Sequence, residues 1–180
     1  MKKLRIILIM AVFCLLTGCA NQVKDGVALL EEGKYQDAID TFQEAIDKDK
    51  NLGESYRGQG MAYYELADYD KARQAFEEAL SNDVEKTPTI YNLIGICYMN
   101  LENIDSAMNN FNLGVSVAEN VDADSDTDYS EVVQEMQYNL IVCYERKSDW
   151  ESAKTKMSKY IAQYPDDADA QKEAQFLETR

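Results

Sequence analysis

From residue 23 onward, apolar and small residues fall at i, i+3, i+4 and i+7. Val23, Val27 and Leu30 form one such stripe; Tyr35, Ala38, Ile39, Phe42, Ala45 and Ile46 form the next. This spacing gathers the apolar positions on one side of a helix, whereas a half-buried strand would alternate. The stripes come in pairs, each split by a short break: Gly33-Lys34, Ala67-Asp68, Glu102-Asn103 and Ser148-Asp149. Asp68, Asn103 and Asp149 are residue types that cap helix N-termini, so each is expected to open the second helix of its pair. Thr87 before Pro88 predicts another start, because proline fits the first helical position. Pro165 ends the fourth pair. Asp166 or Asp167 is then placed to cap a last helix through Leu177, with Ala170, Ala174 and Leu177 on one stripe.

The pairs repeat one another. Tyr35, Ala38, Phe42 and Ala45 recur 34 residues later as Tyr69, Ala72, Phe76 and Ala79. The phrase returns in altered form as Ile104, Ala107, Phe111 and Gly114, and as Trp150, Ala153, Met157 and Tyr160. A fixed period of this kind marks a repeat architecture. Aligned on the Ala38 column, the preceding helices place Gly26, Gly60 and Gly95 in one column and Leu29, Tyr63, Tyr98 and Tyr144 in another. An aromatic residue, Tyr56 or Tyr91, opens the first helix of units two and three.

These columns resemble the tetratricopeptide repeat family over roughly residues 20 to 165. The resemblance implies an all-α fold: an α-solenoid of about four helix-turn-helix units with a C-terminal capping helix. The units are expected at 19–52, 53–86, 87–121 and 131–165, with an acidic insertion at 122–130 and the cap at 166–180. Unit four departs from the pattern. Ile141 stands where glycine is usual and Tyr160 where alanine is usual, so its helices should cross with a wider gap or a tilt. Unit one has Gln22 in place of the aromatic and Asp25 at a normally apolar place, which suits an end exposed to water.

Residues 1–18 read as an export signal. Lys2, Lys3 and Arg5 precede an apolar run from Ile6 to Leu16, too short to span a bilayer. Leu16-Thr17-Gly18-Cys19 resembles the bacterial lipobox, which implies cleavage and diacylation at Cys19. The expected location is outside the cytoplasmic membrane, lipid-anchored to its outer face, or on the periplasmic side where there are two membranes. Helical pattern begins within about three residues of Ala20, a reach on the order of 10 Å, so the domain should sit close to the bilayer.

Charge and composition remove several classes of function. The chain has 18 Lys+Arg and 33 Asp+Glu; without Lys2, Lys3 and Arg5 its formal charge moves from −15 to −18. That argues against nucleic acid, whose affinity comes from neutralised phosphates. Histidine is absent, so no Ser–His or Cys–His pair exists. No phosphate-binding glycine loop and no C-x-x-C occurs. No enzyme activity and no cofactor is expected.

What remains is binding. In the family this chain resembles, first helices line a concave groove for a peptide or a partner's helix. Column by column, the resemblance marks Arg57, Met61 and Tyr64, then Asn92, Ile96 and Met99, then Tyr138, Val142 and Arg146. The expected partner is a protein or peptide of the cell envelope, with the chain as scaffold or assembly factor. A second reading is ion or ligand binding by the acidic segment Asp122–Asp128. There Asp124, Asp126, Asp128 and Glu135 fall at calcium-loop positions 1, 3, 5 and 12, but Tyr129 replaces the turn glycine. A third is homo-oligomerisation through unit four, with Trp150 or Tyr160 exposed. Cys97 and Cys143 share one column and are expected as buried thiols, about one helix spacing apart and beyond disulfide reach.

Overall fold

The computed structural model describes residues 22–121 and 127–180. The expected signal, Cys19, Asp122, Asp124 and Asp126 lie outside the described residues. All regular secondary structure in the described residues is helical. The helices are α1 (Gln22–Glu31), α2 (Tyr35–Ile46), α3 (Leu52–Glu65), α4 (Tyr69–Ser81), α5 (Pro88–Asn100), α6 (Ile104–Glu119), α7 (Ser130–Arg146), α8 (Trp150–Gln163) and α9 (Ala168–Leu177). They form two compact bodies divided after Glu85, the first holding α1–α4 and the second α5–α9.

The breaks within each pair share one construction. In the first, Lys34 N–H reaches Leu29 O at 2.8 Å and Gly33 N–H reaches Leu30 O at 3.0 Å. The same two bonds recur at Ala67-Asp68, Glu102-Asn103 and Ser148-Asp149. This double bond satisfies the last carbonyls of a helix and needs a left-handed residue at its centre. Gly33 has φ 73°, but Ala67, Glu102 and Ser148 adopt φ of 57°, 59° and 57° without being glycine. The next residue then caps the following helix. Asp68 accepts from Lys71 N–H, Asn103 from Ser106 N–H and Asp149 from Ser152 N–H, as expected. Lys34 holds the equivalent place in the first turn and makes no such bond. Thr87 caps Ile90 N–H at 3.4 Å with Pro88 at the first helical position, and Asp167 caps Ala170 N–H at 3.0 Å.

Packing follows the repeating columns. In the first body Phe42 is fully buried, and its ring lies against Gly26 of α1 and Gly58 of α3. Phe76 lies against Gly60 in the same way, and in the second body Phe111 lies against Gly95. A methyl group at Gly26, Gly60 or Gly95 would stand 2.7, 2.7 or 2.5 Å from the ring. Glycine therefore sets how closely the paired helices approach, and the ring fills the space this leaves. Gly114 of α6 receives Met136 from α7.

Unit four rearranges these volumes. Ile141 and Met157, each 1% exposed, replace the glycine and the phenylalanine. The α7 and α8 backbones come close along less of their length than those of α3 and α4 or α5 and α6. Tyr160 is buried, at 4% exposure, which corrects the expectation that it is free to form an interface; Trp150 is half-buried. Gln22 is also buried, not exposed to water as an end residue was expected to be, and its Nε2 donates to Glu44 at 2.8 Å. Ala170 and Leu177 are buried and Ala174 packs beside them, so α9 docks through the predicted stripe. Cys97 and Cys143 are buried thiols not joined in a disulfide.

Candidate functional site

The nine expected groove residues fall on both bodies, and each body is described by itself. In the first, Arg57, Met61 and Tyr64 occupy one stripe of α3. Met61 and Tyr64 are half-buried and Arg57 is exposed. Arg57 is paired with Glu54 at 2.5 Å. Tyr64 meets Tyr69 edge-on, with ring centres 5.9 Å apart. The stripe is thus an amphipathic ledge whose cation is already tied to its own helix.

The second body brings two helices together. Asn92, Ile96 and Met99 line α5, while Tyr138, Val142 and Arg146 line α7. Ile96 and Met99 are half-buried against the core that holds Phe111 and Met136. Arg146 donates to Met99 O at 2.8 Å and lies 3.6 Å from Glu102, so it bridges the helices. Tyr138 faces elsewhere: its ring meets Tyr160 edge-on at 5.5 Å, within the cluster under α9. Burial raises the Tyr138 pKa, with Glu173 and Glu145 adding to the effect, and the phenol stays neutral.

Asn92 is the one fully sequestered member of the set, 4% exposed. Its Nδ2 donates to Glu135 Oε2 on α7 at 2.8 Å, while its Oδ1 is buried with no partner. Glu135 is therefore a companion of Asn92, and Asp124 and Asp126 of the expected calcium set lie outside the described residues. Asp128, the other described residue of that ligand set, accepts from Ser130 N–H at 2.8 Å, which also holds its pKa low. Among the described residues no group of three or more His, Cys, Asp or Glu is placed to hold a metal ion.

Sequence reasoning did not find several contacts. Tyr160 Oη accepts from Gln134 Nε2 at 3.0 Å and donates to Asp167 Oδ2 at 2.8 Å, joining α7, α8 and the start of α9. Burial pushes the Tyr160 phenol up to about 12. The one available signal was the tyrosine at an alanine position. A shallow hollow of about 350 Å³ lies between Leu101–Asp105 and Lys147, closed on one side by the Lys147–Asp105 ion pair.

Comparison with known proteins names the repeat. Three tetratricopeptide repeat profiles match, over residues 29–95, 88–121 and 135–167. These helix pairs are tetratricopeptide repeats. The fold class is an α-solenoid of tetratricopeptide units followed by a C-terminal helix. Similar solved structures include YrrB, described as a tetratricopeptide protein with an unusual peptide-binding site. It is 20% identical, with TM-score 0.73, over 93% of this chain and 80% of its own. MamA from Desulfovibrio magneticus RS-1 is 17% identical, with TM-score 0.73, over 90% and 84%. SycD, a type III secretion translocator chaperone from Yersinia enterocolitica, is 17% identical, with TM-score 0.63, over 72% and 86%. No curated protein matches the sequence significantly.

Proposed function

We propose that this tetratricopeptide-repeat chain is a scaffold or assembly factor that holds a peptide or partner helix against its first-helix stripes. The observation that carries the reading is Asn92. Its Oδ1 is a fixed, buried acceptor without a donor, on the same stripe as the half-buried Ile96 and Met99. Native structures leave few buried polar atoms unsatisfied, so a partner for this one is expected. Glu135 is exposed, and a bound backbone that displaces it meets the asparagine amide. The printed descriptions of YrrB as peptide-binding and SycD as a chaperone support the same class of role.

The reading continues to the cell envelope. Diacylation at Cys19 holds the chain at the membrane, and confinement to a surface raises effective concentration so that modest affinity suffices. The reading includes no catalytic step. A photocrosslinking residue placed at Ile96, with a second placement at the exposed Asn112 as control, tests the surface in cells. The expected result is one adduct from Ile96, absent from Asn112 and lost on Met99→Glu. Equal adducts from both positions, or none from Ile96, would remove the groove from consideration. Metabolic labelling with an alkyne fatty acid that persists after Cys19→Ala would remove the anchor.

A further inference from the structure

Two bonds cross between α5 and α7 in the second body, and they bracket Ile96 on α5 and Val142 on α7. Arg146 donates to Met99 O at 2.8 Å at one end, and Asn92 Nδ2 donates to Glu135 Oε2 at 2.8 Å at the other. Both ends use an amide oxygen and a carboxylate, but only one is complete. At the Met99 end the guanidinium of Arg146 serves Met99 O and lies 3.6 Å from Glu102. At the Asn92 end the amide oxygen Oδ1 is buried with no partner, beside the Glu135 carboxylate. Among the described residues no lysine or arginine forms an ion pair with Glu135.

The direction of the Asn92 amide is fixed. A carboxylate accepts and does not donate, so Glu135 draws the NH2 toward α7 and leaves Oδ1 as the unpaired atom. Asn92 is 4% exposed, so packing holds it in place. The surroundings carry the same sign. Glu131 stands one turn before Glu135, both are exposed, and no basic residue lies three or four places from either. A peptide N–H would satisfy Oδ1 but leave these carboxylates uncompensated. A guanidinium carries several N–H donors in a planar fork, enough to hold Glu135 and still reach Oδ1, and it sheds water more readily than an ammonium. Glu135 is exposed, so its carboxylate can turn outward with the incoming group. Ile96 and Met99, half-buried on the following turns of α5, offer apolar surface for the stem and its flanking residues.

We propose that the partner on this strip inserts a basic side chain, arginine ahead of lysine, between Asn92 Oδ1 and Glu135. The partner then supplies at this end the cation that Arg146 supplies at the other. This anchor presupposes the groove reading above and gives the partner's charge a sign. An acidic side chain or a terminal carboxylate is refused at the same place, because Glu131 and Glu135 repel it. An exposed ion pair alone contributes little, so the bond to the buried amide oxygen sets the size, about tenfold in affinity for the charge.

Selection of random displayed peptides on the full chain tests this, followed by fluorescence polarisation of labelled copies of those retained. Retained sequences should carry an arginine or lysine among apolar residues. Citrulline for that arginine, or acetyl-lysine for that lysine, removes the charge, keeps most of the shape and should weaken binding about tenfold. Glu135→Gln should cost the same, and the two changes together little more than one. Glu135→Lys puts the chain's own cation beside Asn92 and should release basic peptides, while α5 and α7 exchange hydrogen no faster than in the parent. The anchor is overturned, and the groove kept, if Met99→Glu releases the peptides but citrulline and Glu135→Gln do not. Retained peptides that are acidic, or held by their terminal carboxylate, overturn it equally. If nothing is retained, or Met99→Glu releases nothing, the groove reading falls and the anchor with it.

Discussion

Replacing Gly58 with alanine sets two known effects against each other. In an exposed helix the change is favourable by about 1 kcal/mol, because glycine surrenders more backbone entropy. Here the new methyl group would run into Phe42, closer than the 2.7 Å a methyl at Gly26 would have from the same ring. Phe42 is 0% exposed and touches both glycines, so the ring has little room to retreat. Overpacking of this kind costs about 1–3 kcal/mol, and a clamped ring belongs at the top of that range. The balance is a net loss of about 2 kcal/mol, opposite in sign to the propensity effect.

A second substitution isolates the cause. Phe42→Leu alone should cost about 1–2 kcal/mol, between a lost methyl and a lost ring. Combined with Gly58→Ala, the smaller leucine leaves room for the methyl, and the pair should fall short of additivity by about 1–2 kcal/mol. Hydrogen exchange on α2 and α3 is the suitable assay, since it reports the first body alone; denaturant melting would mix the two bodies. A Gly58→Ala protein as stable as the parent would refute the reasoning. Strict additivity would show that Phe42 is not what the methyl meets.

Lys34→Asp should stabilise the first body by about 1 kcal/mol, read as slower hydrogen exchange in α1 and α2, because of the four turns within pairs the first alone has no side-chain cap; an equal gain from Lys34→Ala would dismiss the cap. Ala67→Gly should stabilise by about 0.5–1 kcal/mol, since Ala67 holds φ 57°; faster hydrogen exchange in α3 and α4 would show that the turn is unstrained. Tyr160→Phe leaves Gln134 and Asp167 without their phenol and should cost about 1–2 kcal/mol, read as faster exchange in α9. At pH 8 neither Cys97 nor Cys143 should react with iodoacetamide in the native protein, and both should react in 6 M guanidinium. Burial pushes the Cys143 thiol to about 11, which leaves on the order of one thiolate per thousand. Peptide mapping of native, labelled protein that finds either residue modified would contradict the packing.

The fold was legible because its determinants are local or periodic. In three of the four breaks an aspartate or asparagine both ends one helix and begins the next, and that double duty falls on Asp68, Asn103 and Asp149. The glycine columns were equally readable, since each records a crossing with a named phenylalanine. The surface was less legible. Arg57 and Arg146 looked like cations offered to a partner, yet one is paired within its helix and the other bonded across to Met99. Asn92 and Glu135 are 43 residues apart, and no periodicity announces their bond.

The fourth unit shows how a repeat can change its side chains and keep its pairing. In the earlier units the first helix gives a glycine and the second an aromatic ring. Here Ile141 and Met157 divide that volume between the two helices, and both stay buried. The column that held Ala45, Ala79 and Gly114 now holds Tyr160, which no following pair could accept in the way Gly114 accepts Met136. Its ring instead supports Tyr138 and Tyr164, and its hydroxyl bonds the residue that caps α9. A large side chain with a polar tip thus converts a stacking position into a terminating one. Tyr160→Ala would restore the stacking residue, leave a cavity under α9 and strip Asp167 of its partner. The repeat would then match its family better and hold its last helix less well.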